Sequence, residues 1–125
     1  MEFSLTDREA SLMEILWDCG PSTVAEVREQ LPDELAYTTV LTILRNLESK
    51  GYVGHETEGR AHRYSALVAR DTAQRSALQA LKHKLFRGSS ELLLTRLVAE
   101  KDLSPAQIER IQRLLDAQPK GRQKQ

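Results

Sequence analysis

Cysteine is nearly absent from this sequence, and long apolar segments are missing altogether. The 125 residues contain one cysteine, Cys19, which excludes an intramolecular disulfide and a cysteine-based metal cluster and indicates a reducing compartment. The first residues carry acids ahead of the apolar ones, unlike a secretory signal, and no apolar run is long enough for a membrane span. We therefore expect a cytoplasmic chain that does not insert into a membrane. No basic residue adjoins Cys19, which predicts an unreactive thiol.

Motifs of catalysis are missing as well. His55, His62 and His83 are scattered along the chain, and neither a glycine-rich phosphate loop nor the spacing of a zinc-binding helix occurs. His55 and His62 could face one another across a two-stranded ribbon, but metal ligands rarely occur without a carboxylate or cysteine neighbour. These absences predict a protein that is not an enzyme and has no metal or cofactor.

Net charge is also absent, since 18 Lys and Arg balance 18 Asp and Glu. The balance hides an asymmetry, because residues 1–67 hold 6 basic and 12 acidic residues whereas residues 68–125 hold 12 basic and 6 acidic ones. A charged fraction of 29% without an excess of one sign is typical of a folded chain. The length fits one ordinary domain or two very small ones.

The sequence does contain clear helix signals at its start. Thr6 and Thr23 are each followed three residues later by a glutamate, and this capping box predicts two helices in quick succession. Apolar residues at helical spacing, including Trp17 as a core residue, continue the first helix to Gly20. The second helix is short and ends at Pro32.

A third helix and a ribbon follow from Thr38 onwards. Apolar residues at a period of 3.6 run to Lys50 and Gly51, which are typical of a helix C-terminus. A strand that starts at Tyr52 and Val53 is then predicted, followed by a turn at Glu58-Gly59-Arg60 and a partner strand over 62–67. The predicted order is therefore helix, helix, helix, strand, turn and strand.

The third helix has a polar, lightly charged side opposite its core residues Val40 and Leu44. A helix facing bulk solvent would carry more Glu and Lys. Arginine can bond guanine or phosphate, asparagine can pair with adenine, and threonine can bond phosphate or contact thymine. With the turn of the ribbon, this side predicts the DNA contacts Thr38, Thr39, Thr42, Arg45, Asn46, Ser49, Arg60, His62 and Arg63. Spacing alone leaves open that the threonines only decorate a surface helix.

Three more helix patterns follow, over 73–85, over 92–98 after Ser89 or Ser90, and over 105–115 after Ser104. Their leucine-rich surface is too broad for a segment of about fifty residues to bury alone. Homodimerisation is therefore predicted, with contacts at Leu78, Leu81, Leu85, Leu92, Leu93, Leu97, Val98, Ile108, Ile111, Leu114 and Leu115. The tail 119–125 has no apolar anchor, which predicts disorder.

Several segments in this order resemble the penicillinase-repressor family of BlaI-, MecI- and CopY-type repressors: 5–9 (LTDRE), 14–17 (EILW), 38–48 (TTVLTILRNLE), 50–51 (KG), 59–60 (GR), Tyr64, 102–104 (DLS) and Ile108. The resemblance implies a mostly α-helical fold with a small β-wing. It implies a winged helix-turn-helix DNA-binding domain over 1–68 and a three-helix dimerisation region over 69–118, before the basic tail 119–125. It further implies a dimeric repressor that binds an inverted-repeat operator, often with TACA and TGTA half-sites, through the third helix and the wing.

The sequence departs from this family where the inducing signal acts. In antibiotic-responsive members, a membrane sensor-protease leads to cleavage of an Asn-Phe bond in the penultimate helix, whereas Arg96-Leu97 stands at that position here. A sensor-protease acting upstream is thus implied as a partner, but the family's cut site is absent. The cysteine cluster of the copper-responsive members is missing too. Two alternatives remain open, a ligand-sensing winged-helix regulator and a winged helix used for protein–protein contact.

Overall fold

A computed structural model describes residues 3–100 and 102–118, and the predicted tail 119–125 lies outside them. They form two compact units, one ending at Ala80 and the other beginning at Leu81. This division falls within a helix, downstream of the boundary predicted at residue 68. Along the chain the elements are α1 (Asp7–Cys19), β1 (Ser22–Thr23), α2 (Val24–Gln30), α3 (Tyr37–Ser49), β2 (Val53–Glu58), β3 (Ala61–Ala66), α4 (Arg70–Leu85), α5 (Ser90–Ala99) and α6 (Pro105–Asp116).

Side-chain caps begin α1 and α2 as the sequence predicts. The Oγ1 atom of Thr6 accepts a bond from the Glu9 amide at 3.2 Å, and the Thr6 amide donates to Glu9 Oε1 at 2.9 Å. Thr23 and Glu26 repeat the arrangement at 3.2 and 3.0 Å. These reciprocal bonds satisfy amides that have no partner inside the helix.

The core of the first unit lies between its helices and its sheet. Trp17 packs against this core, and its Nε1–H donates to the carbonyl oxygen of Val68 at 2.8 Å. The prediction that Trp17 is a packing residue is confirmed. The buried residues are Leu12, Met13, Leu16, Val24, Val27, Leu31, Val40, Leu44, Leu47, Tyr52, Val53 and Tyr64.

The sheet has three antiparallel strands in the order β1-β3-β2. The sequence predicted β2 and β3 but not β1, which is two residues long and shows no alternation that could reveal it. Ser22 pairs with Tyr64 and Thr23 pairs with Arg63, so β1 becomes a strand only through this distant partner. Three helices with a small antiparallel sheet form a winged helix, and the predicted fold class is confirmed.

The second unit contains the end of α4 together with α5 and α6. Ser89, one of two predicted caps, accepts the Leu92 amide at 3.0 Å, and Ser104 forms a capping box with Gln107 at 3.1 and 2.8 Å. Over the whole described lengths of α5 and α6, no side chain is buried. In the part of the chain that the structure describes, none of the helices is both long and apolar enough to cross a membrane.

Candidate nucleic-acid interface

Helix α3 separates an apolar side from a polar one, as the sequence predicts. Val40, Leu44 and Leu47 are fully buried. The Oγ1–H of Thr42 donates to the carbonyl oxygen of Thr38 at 2.9 Å, which fixes the side chain on the helix surface. The structure places all six predicted contact residues of this helix among the exposed ones: Thr38, Thr39, Thr42, Arg45, Asn46 and Ser49.

Tyr37 lies exposed at the N-terminal end of α3 and is not among the predicted contact residues. It is the first residue of α3 and is 46% exposed. The sequence pattern predicts a helix from Thr38, one residue after its observed start, and the N-cap residue Ala36 makes no side-chain cap bond. A tyrosine directly before two threonines was the sequence signal that could have included it, since tyrosine can both pack and form hydrogen bonds at an interface.

The loop before α3 is held by the first two helices. An Arg8 nitrogen of α1 lies 2.6 Å from Asp33 Oδ2. The Nε–H of Arg28 in α2 donates to the carbonyl oxygen of Leu35 at 2.8 Å. These two arginines therefore fix the position from which Ala36 leads the chain into α3.

The other end of α3 is joined to the ribbon through a tight turn. Gly51 has a φ of 86°, and the amide of Tyr52 donates to the carbonyl oxygen of Leu47 at 3.0 Å, the bond that closes a glycine-terminated helix. Glu48 Oε2 also lies 2.7 Å from His55 Nδ1 of β2. The contact side of α3 and the ribbon are thus held in one register.

The ribbon turns at Gly59, whose φ of 63° suits the first central position of a two-residue hairpin. Arg60 follows it and is exposed, whereas His62 is half-buried. The His62 ring stacks on that of His55 at a centroid distance of 4.4 Å and an angle of 14°. Among residues 3–100 and 102–118, no group of three or more His, Cys, Asp and Glu side chains could hold a metal ion.

Arg63, a predicted DNA contact, is bonded within the protein. Its Nε–H and Nη2–H donate to Glu58 Oε1 at 3.0 and 2.8 Å, and its Nη1–H donates to Glu26 Oε1 and to the carbonyl oxygen of Pro21, both at 3.2 Å. The bond to Glu58 outweighs desolvation and, with the charges of both carboxylates, raises the pKa of Arg63. Its side chain is 33% exposed. The contact predicted for Arg63 would compete with these bonds.

Positive charge around the contact side is local and modest. From residue 37 to residue 67 the chain holds four basic and three acidic residues. Arg63 is bonded to two carboxylates, and Lys50 Nζ lies 2.7 Å from Glu9 Oε1. Arg45 and Arg60 are both exposed and would supply the attraction for a polyanion. Weak non-specific binding to DNA is therefore expected.

The predicted dimerisation residues lie on α4, α5 and α6. Leu93 and Ile111 are half-buried, and the other nine are exposed: Leu78, Leu81, Leu85, Leu92, Leu97, Val98, Ile108, Leu114 and Leu115. A largely apolar groove of about 480 Å³ in the second unit is lined by Leu103, Gln107, Arg110, Ile111, Arg113 and Leu114. Exposed apolar surface of this extent is typical of an interaction site.

Comparison with known proteins identifies a family and several relatives of this chain. The model of the penicillinase repressor family matches residues 5–117. The chain is 43% identical over 70 residues to the transcriptional regulator BlaI of Mycobacterium tuberculosis, a match that covers 54% of this chain and 51% of that protein. The chain thus spans about half the length of this relative. It is 21% identical over 116 residues to the methicillin resistance regulatory protein MecI of Staphylococcus aureus, covering 91% of this chain and 94% of MecI.

A solved structure resembles more than half of this chain. The solution structure of the DNA binding domain of the repressor BlaI superposes with a TM-score of 0.51 at 25% sequence identity. The match covers 58% of this chain and 93% of that domain.

Proposed function

This chain belongs to the penicillinase repressor family, and on that basis we propose that it is a dimeric, sequence-specific transcriptional repressor that binds DNA. The operator would be an inverted repeat, read by α3 and flanked by the wing. The single observation that carries the proposal is the exposed polar side of α3 on a buried apolar back. A rigid helix of this kind fits the major groove, where base edges can be distinguished.

Each exposed group on α3 has a chemical use in that groove. Arg45 can fork onto guanine, and Asn46 can pair with adenine. The hydroxyls of Thr38, Thr39 and Ser49 can bond phosphates, which positions the helix without reading sequence. On the wing, Arg60 and the neighbouring His62 would lie beside the flanking backbone.

Dimerisation would supply the affinity that one modestly charged winged helix lacks. The exposed leucines of α4, α5 and α6 offer a surface for a second copy of the chain. A second copy fits an inverted repeat, because two identical half-sites require two identical DNA-binding domains. The protein would act in the cytoplasm as a binding protein without catalytic chemistry. Its release from DNA would follow a route other than the family's Asn-Phe cleavage, because Arg96 and Leu97 occupy that position inside α5.

Arg45 tests the proposed reading helix. We expect Arg45→Ala to weaken binding to a duplex with TACA and TGTA half-sites by about 1–3 kcal/mol, the cost of losing a bidentate base contact. Arg75→Ala is the matched control, because it removes one exposed arginine that pairs with Asp71 on its own helix. Equal affinities of wild type, Arg45→Ala and Arg75→Ala in a fluorescence-anisotropy titration would rule out the role of Arg45.

A further inference from the structure

The bonds of Arg63 join three separate parts of the winged helix. Glu58 is the last residue of β2, Glu26 belongs to the first turn of α2, and Pro21 precedes β1. All three guanidinium nitrogens of Arg63 donate to these acceptors. Resting on the proposed function, we infer that Arg63 is a positioning residue that makes no DNA contact itself. It clamps the wing, the end of the β2–β3 ribbon over residues 57–62, to the start of α2.

The place of Arg63 in the sheet suits a clamp. The strand β1 pairs with β3 only at Tyr64 and Arg63. Beyond this point the ribbon continues from Glu56 to its turn with only β2 and β3 paired. An isolated two-stranded hairpin is marginally stable in water. Arg63 therefore lies where the three-stranded sheet narrows to the two-stranded ribbon. Side-chain bonds at this point restrict the direction of the ribbon most.

One acceptor of Arg63, Glu26, is itself held by a second bond. The carboxylate of Glu26 also accepts the amide of Thr23 at 3.0 Å, as part of the cap of α2. That backbone bond first, and then Arg63, outweigh partial desolvation and hold the pKa of Glu26 below its ordinary value, so it is charged at neutral pH. A phosphate that approached Arg63 would meet two carboxylates that repel it. Arg60, beyond the clamp at the turn, is the cation that reaches the DNA backbone.

Salt-dependent binding separates a clamp from a phosphate contact. Affinity for the duplex with TACA and TGTA half-sites is measured over a range of salt for wild type, Arg63→Ala, Arg63→Lys and Arg60→Ala. Both Arg63 variants should weaken binding about tenfold at a fixed salt concentration, because lysine cannot replace the planar fork. They should keep the wild-type slope of log affinity against log salt, whereas Arg60→Ala should reduce it by about 2, because each protomer of the dimer loses one phosphate contact. A slope reduced by about 2 in Arg63→Ala, or wild-type affinity in Arg63→Lys, would overturn the inference.

Amide hydrogen exchange in the free protein tests the clamp without DNA. Arg63→Ala and Glu58→Gln should speed exchange in the wing, residues 57–62, by roughly tenfold. Arg60→Ala is the control and should leave it unchanged, and exchange in the core of α1 and α3 should stay slow in all variants. Unchanged wing exchange in both clamp variants would overturn the inference. If the wild type fails to bind the duplex even at low salt, the proposed function is contradicted, and the exchange result alone then decides whether Arg63 holds the wing.

Discussion

At the scale of single residues, the buried carboxylate of Glu9 connects the start of α1 to the end of α3. The side chain of Glu9 is 6% exposed and closes the cap of α1, while Lys50, 38% exposed, follows the end of α3. The sequence predicted both as local signals, a cap and a helix-terminal cation. It could not show that they meet at 2.7 Å, because 41 positions separate them in the chain.

Acid should remove the stabilisation that Glu9 provides. Burial disfavours its charge, but the bonds from Lys50 and Thr6 outweigh this and hold the pKa of Glu9 below its ordinary value. Such a group stabilises the fold above its unfolded pKa, and that contribution is lost as the pH falls through the folded pKa. We expect Glu9→Gln to flatten the decrease in the free energy of unfolding below about pH 4.3, measured by urea denaturation.

The control is Glu29→Gln on the exposed surface of α2. Its free energy of unfolding should decrease with falling pH in parallel with that of the wild type. Removing the cation instead, in Lys50→Met, should cost about 2 kcal/mol at neutral pH, because Glu9 stays buried without its partner. Parallel pH curves for wild type and Glu9→Gln would contradict this role of the pair.

At the scale of elements, α3 differs from α1, α2 and α6, each of which has a capping box. Ala36 occupies its N-cap position with an extended backbone and no side-chain bond. This absence explains why the sequence predicted the interior of α3 correctly but its start one residue late. Strand β1 was missed for a related reason, since two residues that pair only with β3 have no local pattern.

A cap introduced at Ala36 should stabilise the first unit. We expect Ala36→Ser to raise the free energy of unfolding by about 0.5–1 kcal/mol, because a hydroxyl there can accept an amide of the first turn. Thr23→Ala removes the existing cap of α2 and should lower the free energy of unfolding by about 1 kcal/mol. Both free energies of unfolding are measured by urea denaturation at neutral pH. An unchanged value for Ala36→Ser would show that a side-chain cap does not stabilise the start of α3.

At the scale of the whole molecule, the two units differ in how many apolar side chains they bury. The first buries a continuous core, whereas α5 and α6 of the second bury no side chain over their described lengths. Leu114 of α6 is 65% exposed, although the sequence predicted it as an apolar contact residue. The sequence could identify such residues by their spacing. It could not give the geometry of a partner, because that geometry depends on a surface outside the single chain.

Hydroxyl-radical footprinting of the full chain on genomic DNA tests most directly whether this protein is a dimeric DNA reader. Wild type should protect two half-sites related by two-fold symmetry. Leu114→Glu should lose this pattern at the same concentration, because a charge in the apolar surface weakens dimerisation by at least about 30-fold. The control Gln79→Glu, at an exposed polar position of α4, should keep the pattern. Protection of a single unpaired site by the wild type, or no protection at low salt, would contradict the proposal.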